Sequence, residues 1–478
     1  MVAESLSQRC KEVIWHADSL EFFKSSQKEL PPHIDLSKLN NPLRLAESDY
    51  SSVKFESNEC WELVAEQNLG MFLILSERVA LGRWDVNTKI FFFKFLLNYW
   101  RDTFVEHNVS HVIFQATPHL PADFACMVAA KQLKIPYVFP SRTHLGLAVQ
   151  FRTELEGTNV AEFLKRSHFN LDNNFTSPWL QRSKEQNLEV TAPNTPKEIF
   201  EQGIPQIFQE AKKRLQFLRL SLEIVISKRW NQHFLYLNRI QSMKVIVQSW
   251  MSQRKLERFL VKNSVSKNNF KEQFCFFPLQ YQPEKTTQPE SKWFNDQISS
   301  ILYLRSNLPI DLPIVVKEHP KVFRRNPRNP NFLMYRSINY YQTLLKIPNV
   351  LFAHPHEDSE EWISKSSLIA SATGSAIWEG LQYGIPGLSF AKNWHSEFEF
   401  SPFIFDLKDV KNYLSSSLSV SRQDIQKKLG LFKKKALESS IHTVDNEKIF
   451  SIVKEYDLDY VKLVENYANF LLNFVSRK

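Results

Sequence analysis

The chain has 478 residues, 43% hydrophobic and 23% charged, with 38 Phe and 11 Trp. This is globular composition with material for more than one core, and it excludes a largely disordered or fibrous chain. A formal charge of +9 and a pI near 9.1 favour acidic partners: phosphates, nucleotides, anionic glycans or a membrane surface.

The segment "MVAESLSQRCKEVIWHADS" has no basic stretch leading into an apolar one, so no signal peptide is expected and the protein is expected to stay in the cytoplasm. Cys10, Cys60, Cys126 and Cys275 show neither CxxC pairing nor zinc-ligand spacing, which predicts reduced thiols and no metal site. The most apolar run, "IFFFKFLLNYW" from Ile90, is interrupted by Lys94 and is far shorter than the roughly 20 residues of a spanning helix. Residues 109–140 read as strand, helix, strand, a βαβ unit. Within it "TPHLPADF" sets His119 and Asp123 four apart as acid/base candidates, His119 being equally a helix cap.

From 159 to 262 apolar residues recur at helical spacing, and the polar stretch "NSVSKNNFKEQ" from Asn263 marks a domain boundary. Beyond it "FCFFPL", "LPIVVK", "NVLFAH", "SLIASA" and "PGLSF" alternate with helices near 294–305, 332–345, 358–365 and 376–383. That alternation predicts an α/β doubly wound parallel sheet. "YLSSSLSVS" reads as a loop, and residues 421–478 as helical. The last helix carries Tyr460, Leu463, Val464, Tyr467, Phe470, Leu471 and Phe474 as an apolar stripe, with Lys462 outside it and Arg477 and Lys478 at the end. Such a stripe is expected to pack on its own protein rather than on a membrane. The expected division is 1–265, 274–410 and 421–478.

Three constellations follow strands of the second half, where open parallel sheets hold ligands. "VVKEHPKVFRRNPRNP" ends a strand at Lys317 and begins a loop at His319, with Lys321, Arg324, Arg325 and Arg328 following. A flexible ammonium and an imidazole there suit a phosphate, and a solvated loop with a capping His fits the same residues. "SATGSAIWEGLQYGIPGLSF" holds four of the 10 glycines. Thr373, Gly374 and Ser375 open a helix as an anion cradle or as ordinary caps, and Glu379 lies one turn on, within reach of a ribose hydroxyl or of solvent. "FFPLQYQPEKTTQPES" places Gln280, Gln282, Glu284, Thr286 and Thr287 in a polar strand-end loop, Glu284 as a further catalytic candidate.

In this order, "FFPLQYQPEKTT", "LPIVVKEHP" and "IPNVLFAHPHEDSEEWISKSSLIASATGSAIWEGLQYGIPGLSF", preceded by "TPHLPADFACMVAAKQLKIPYVFP", resemble the bacterial capsular polysaccharide biosynthesis family. That family is related to the Kdo transferases and to bacterial sialyltransferases carrying an HP motif. The likeness covers 109–150 and 274–400. It implies a GT-B glycosyltransferase of two Rossmann-like domains facing across a cleft, to which the helical periodicity adds a helical insertion and C-terminal helices. It further implies no metal and no cofactor beyond a nucleotide-sugar donor, CMP-linked sugars among the candidates, and a surface polysaccharide or glycolipid acceptor. The enzyme would work in the cytoplasm or in peripheral contact with the inner membrane. On that pattern Lys317 and His319 contact the donor phosphates, Thr373, Gly374 and Ser375 complete the pocket, and Glu379 lies near the ribose. One departure is Gln280, where the resemblance leads one to expect a His, and it keeps open a second reading, an inactive polysaccharide-assembly protein of the same fold. Nucleic-acid binding is set aside, since one basic loop is no stripe and no nucleic-acid module is present.

Overall fold

The computed structural model describes residues 39–143 (apart from 41, 43, 44, 46, 52, 56, 57 and 81–83), 148–155, 239–270, 272–323, 335–438, 441–442 and 460–475, with isolated helical positions at 215, 218 and 219. The leader reading at 1–19, Cys10, most of the helical segment 159–262, Arg324, Arg325, Arg328, Arg477, Lys478 and the side chains of Tyr460, Lys462, Leu463 and Val464 lie outside the described residues. The described chain falls into two compact units. The first takes residues up to 155, Gln288–Glu290 and everything from 430 on; the second takes the rest.

In the first unit, α1 (Glu59–Ala80) packs on α2 (Val86–Glu106). The run "IFFFKFLLNYW" forms the heart of α2: Phe92, Phe93, Phe95, Leu96, Leu97 and Trp100 are buried while Lys94 faces water. Asp85 caps this helix, its Oδ1 accepting the Thr88 amide at 2.9 Å. Then β1 (Val112–Ile113), α3 (Pro121–Gln132) and β2 (Tyr137–Arg142) form the βαβ unit, Val112 aligned with Tyr137 in a parallel pair. β3 (Ala148–Arg152) follows, antiparallel to β2.

The second unit opens with α4 (Arg239–Lys262), whose Leu256 and Leu260 sit in that unit's core. The boundary drawn at 265 therefore moves to before 239, because the core that takes these leucines is the one built by the later strands. After α4 come β4 (Ser264–Val265), β5 (Cys275–Pro278), α5 (Ile298–Asn307), β6 (Ile314–Lys317), α6 (Ile338–Leu345), β7 (Val350–Ala353), α7 (Ser359–Lys365), β8 (Leu368–Ser371), α8 (Ser375–Gln382) and β9 (Gly387–Ser389). The six strands form one parallel sheet in the order β4-β7-β6-β5-β8-β9. Five strands were expected; β4, two residues in a polar stretch, adds an edge. Strands β5, β6 and β8 are almost wholly buried, as a sheet covered by helices on both faces requires.

Two short helices complete the unit, α9 (Val410–Ser417) and the start of α10 (Arg422–Glu438). The expected "YLSSSLSVS" loop is helical through Ser417 instead. Asp409 caps α9 by accepting the Asn412 amide at 3.0 Å, Leu414 and Ser417 turn inward, and the Tyr413 hydroxyl donates to the Gly387 carbonyl at 2.6 Å. The chain then returns to the first unit through β10 (Ile441–His442), antiparallel to β3, and α11 (Tyr460–Val475). The described part of the α11 stripe is taken up in packing: Tyr467, Phe470, Leu471 and Phe474 cluster with Val138, Val149 and Phe151, and Phe470 stacks on Phe151 at 4.3 Å. No helix among the described residues is long and apolar enough to cross a membrane. Cys60, Cys126 and Cys275 are free thiols.

Candidate functional site

The parallel sheet reverses direction at β5. The chain steps from β5 outward to β6 and β7, then returns to β5's other side as β8 and β9. Such a switch point opens a crevice at the carboxyl ends of the two diverging strands, here those of β5 and β8. The residues emerging there are Gln280 and the Thr373, Gly374, Ser375 turn.

Gln280 is 7% exposed and held from several sides. Its amide donates to Gln297 Oε1 at 2.7 Å, and its carbonyl accepts from Gln297 Nε2 at 3.3 Å and Arg336 Nη2 at 2.7 Å. With its own side-chain oxygen turned toward the crevice, it accepts from the Gly374 amide at 2.8 Å, the Thr373 amide at 3.2 Å and Thr373 Oγ1 at 3.0 Å. Gln280 thus serves as an internal cap on the turn that opens α8. Ser371 Oγ also lies 3.2 Å from the Gly374 amide. Among the described residues, no group takes the amides of Ser375 and Ala376, which remain the donors at this helix end. Gly374 is there for space: a Cβ would sit 2.6 Å from Ser371 Oγ. Gly380 lets α8 lie directly on β8, where a Cβ would meet the Ile369 side chain.

On the same helix Ser375 is exposed and hydrogen-bonds the half-buried Glu379. Burial pushes the Glu379 carboxyl up, against that hydrogen bond, and the charges of Glu360 and Asp358 add to the rise.

Lys317 ends β6 inside the protein, 2% exposed, its Nζ donating to the Pro355 carbonyl at 3.3 Å. Burial brings its pKa down to about 8, against the pull of Asp358, Glu318 and Glu357. The ammonium read as flexible is thus buried and held by that carbonyl. His319 is half-buried, and its Nδ1 accepts the Lys321 amide at 3.1 Å, so the neutral ring carries its proton on Nε2. Its ring lies 5.8 Å from that of Tyr281, whose phenol burial pushes up, with the charges of Glu284 and Glu318 adding. Glu284 is half-buried in the loop, and its carbonyl accepts the Thr287 amide at 3.1 Å.

Beneath these loops lies a group that motif reading passed over. Glu318, 3% exposed, accepts the His319 amide at 2.6 Å, Arg336 Nε at 2.8 Å and the Tyr341 hydroxyl. Arg336, also 3% exposed, lies 4.8 Å from the Tyr340 ring centre and bridges to the Gln280 carbonyl. One guanidinium thus ties the ends of β5 and β6 together. Glu318 was visible in "KEHP"; nothing in the sequence marked Arg336 and Tyr341 as its companions, or Gln297 as the partner of Gln280.

His119 and Asp123 belong to the first unit. The His119 ring lies with Nδ1 2.7 Å from the Thr117 carbonyl, and Leu120, not His119, takes the cap position of α3. Asp123 sits in the first turn of α3, its charge helping to raise the buried Cys126 thiol, for which burial is the larger cause. In the same unit Thr117 donates to Glu290 Oε1 at 2.6 Å, and Arg152 lies 3.8 Å from Glu290. Among the described residues no three His, Cys, Asp or Glu side chains gather as a metal site would need.

No protein-family model matches the chain, and no curated protein matches it in sequence. Solved structures with a partial likeness, at low identity and low TM-score, include three. The β-Kdo 2,7-transferase KpsC of Thermosulfurimonas dismutans is 8% identical over 75% of this chain and 89% of its own, with a TM-score of 0.31. The UDP-GlcNAc 2-epimerase of Methanocaldococcus jannaschii, solved with UDP-GlcNAc and UDP, is 12% identical over 72% and 81%, TM-score 0.23. The C-terminal CMP-Kdo-binding domain of WaaA from Acinetobacter baumannii is 16% identical, covering 41% of this chain and 98% of that domain, TM-score 0.18.

Proposed function

We propose that the protein is a glycosyltransferase that transfers a sugar from a nucleotide sugar, CMP-linked donors among the candidates, to a surface polysaccharide or glycolipid acceptor. The observation that carries this reading is the meeting of the Gln280 loop with the turn before α8 at the switch point of the parallel sheet. Lys317 and His319 follow from the neighbouring strand. The donor's phosphates would take the Ser375 and Ala376 amides at the positive end of α8, with the Ser375 hydroxyl beside them. His319, with its proton on Nε2, would donate to a phosphate oxygen. Lys317 is a cation at neutral pH, and its charge would favour departure of the nucleotide as a phosphate anion. Glu379 would accept from a ribose hydroxyl. His119, Asp123 and Glu284 remain the candidates for the acceptor's base.

The experiment is a thermal-shift panel of CMP, UDP and GDP on the full chain. A nucleotide at a hundred times its Kd stabilises the folded state by about 2.7 kcal/mol. A flat response to all three removes the proposal. One observation favours the second reading, an inactive assembly protein: Gln280 already occupies two of the turn's amides. Donor hydrolysis that disappears in a folded His319→Ala variant excludes it; nucleotide binding without turnover supports it.

A further inference from the structure

Away from the strand ends, α4 shows two contrasting faces. Ser249, Gln253, Leu256 and Leu260 are buried. The opposite side carries Lys244, Val247, Met251, Lys255, Arg258 and Lys262, all exposed. At 3.6 residues per turn these six positions share an arc of about 80° and run for about 27 Å along the helix. The helix holds Arg239, Lys244, Arg254, Lys255, Arg258 and Lys262 against a single acid, Glu257. That acid lies off the stripe and pairs with His356 at 3.0 Å. No ion pair among the described residues engages the four cations of the stripe. Between them Val247 and Met251 are 43% and 49% exposed.

Four cations in line with no ion-pair partner among the described residues suit an anionic partner, and two apolar side chains set among them suit one with an apolar layer beneath its charge. Duplex phosphates or an acidic polysaccharide satisfy only the first condition; an anionic bilayer satisfies both. We propose that this face of α4 docks the protein on an anionic lipid surface, the cations lying among the headgroups and Val247 and Met251 reaching the acyl boundary. Each basic residue near such a surface multiplies the partition coefficient about fivefold. Attachment by this stripe is therefore reversible and steeply weakened by salt.

The test is co-sedimentation of the full chain with phosphatidylglycerol/phosphatidylcholine vesicles and with pure phosphatidylcholine vesicles at low and high salt. Binding to the anionic vesicles alone is expected. The Lys244→Gln, Lys255→Gln, Arg258→Gln triple variant should lose about 100-fold in partitioning at an unchanged melting temperature. Met251→Ser should weaken binding by a smaller factor that salt does not alter. Failure of the wild type to sediment with anionic vesicles overturns the proposal, as does a triple variant that sediments like the wild type. Duplex DNA or an acidic polysaccharide bound through the same lysines, with no vesicle binding, assigns the face to a soluble polyanion instead. The nucleotide panel reads a different part of the molecule, so either result stands without the other.

Discussion

The buried pair of Glu318 and Arg336 permits a prediction that separates a charge's cost from a contact's worth. Both residues are 3% exposed, and Nε lies 2.8 Å from Oε2. Arg336→Met alone leaves a carboxylate deep in the protein with only the His319 amide and the Tyr341 hydroxyl as partners, which costs about 3–5 kcal/mol. Adding Glu318→Gln removes the stranded charge while keeping an acceptor for those two donors and the size of the side chain. The double variant should therefore return to within about 1–2 kcal/mol of wild type, a recovery of roughly 2–3 kcal/mol over Arg336→Met alone. Urea denaturation of the wild type, both single variants and the double variant measures it, provided the m-values agree. If Arg336→Met costs less than about 1 kcal/mol, or the two losses simply add, the residues are not a desolvated pair and the tie between the β5 and β6 loops is weaker than drawn.

Lys317 gives a pH dependence. Its folded pKa of about 8 lies below the unfolded value of 10.5, so above pH 8 the folded state releases a proton that the unfolded chain keeps. Wild-type stability should thus rise relative to Lys317→Met by roughly 2–3 kcal/mol between pH 8 and 10, and a flat difference curve across that window rules this out. Gly374→Ala should cost about 1–3 kcal/mol by overpacking against Ser371 Oγ, and most of that loss should vanish in Gly374→Ala with Ser371→Ala; a single variant as stable as wild type contradicts the contact. Phe470→Ala should cost about 3–5 kcal/mol and raise dye binding to apolar surface, since Phe470 is 6% exposed and stacks on Phe151. A variant that melts with the wild type would mean that α11 contributes little to the first unit.

What could be read from the sequence follows from what burial writes into it. β5 to β8 are buried and so appear as short runs such as "FCFFP" and "PIVVK" bounded by turns. β4 and β10 are two residues each, too short to show any period, and β3 carries Gln150 and Arg152, whose 2% exposure contradicts their residue type. Arg152 is tolerated there because Glu290 comes to it from 138 positions later in the chain. A pattern within one window cannot contain that partner. Likewise α4 was legible as a helix, but its allegiance was not, since helical spacing reveals that Leu256 and Leu260 share a face and not which strands that face meets.

At the strand ends the residue types were legible and their duties were not, and strand geometry explains the difference. Successive side chains of β6 point to opposite faces, so Lys317 follows Val315 to one side while Glu318 follows Val316 to the other. On the Lys317 side the Pro355 carbonyl draws the ammonium inward. On the Glu318 side wait Tyr341 and Arg336, which turn the single acid of a basic stretch into the anchor of the His319 amide. Gln280 follows the same logic one strand over, its polar end absorbed by Thr373 and Gly374. A residue at a strand's carboxyl end is thus offered to ligand and protein alike. Where the neighbouring loop presents a backbone amide or carbonyl within reach, the intramolecular bond forms first, because its partners are already held in place. Among the described residues the groups on α8 with no such neighbour are the amides of Ser375 and Ala376.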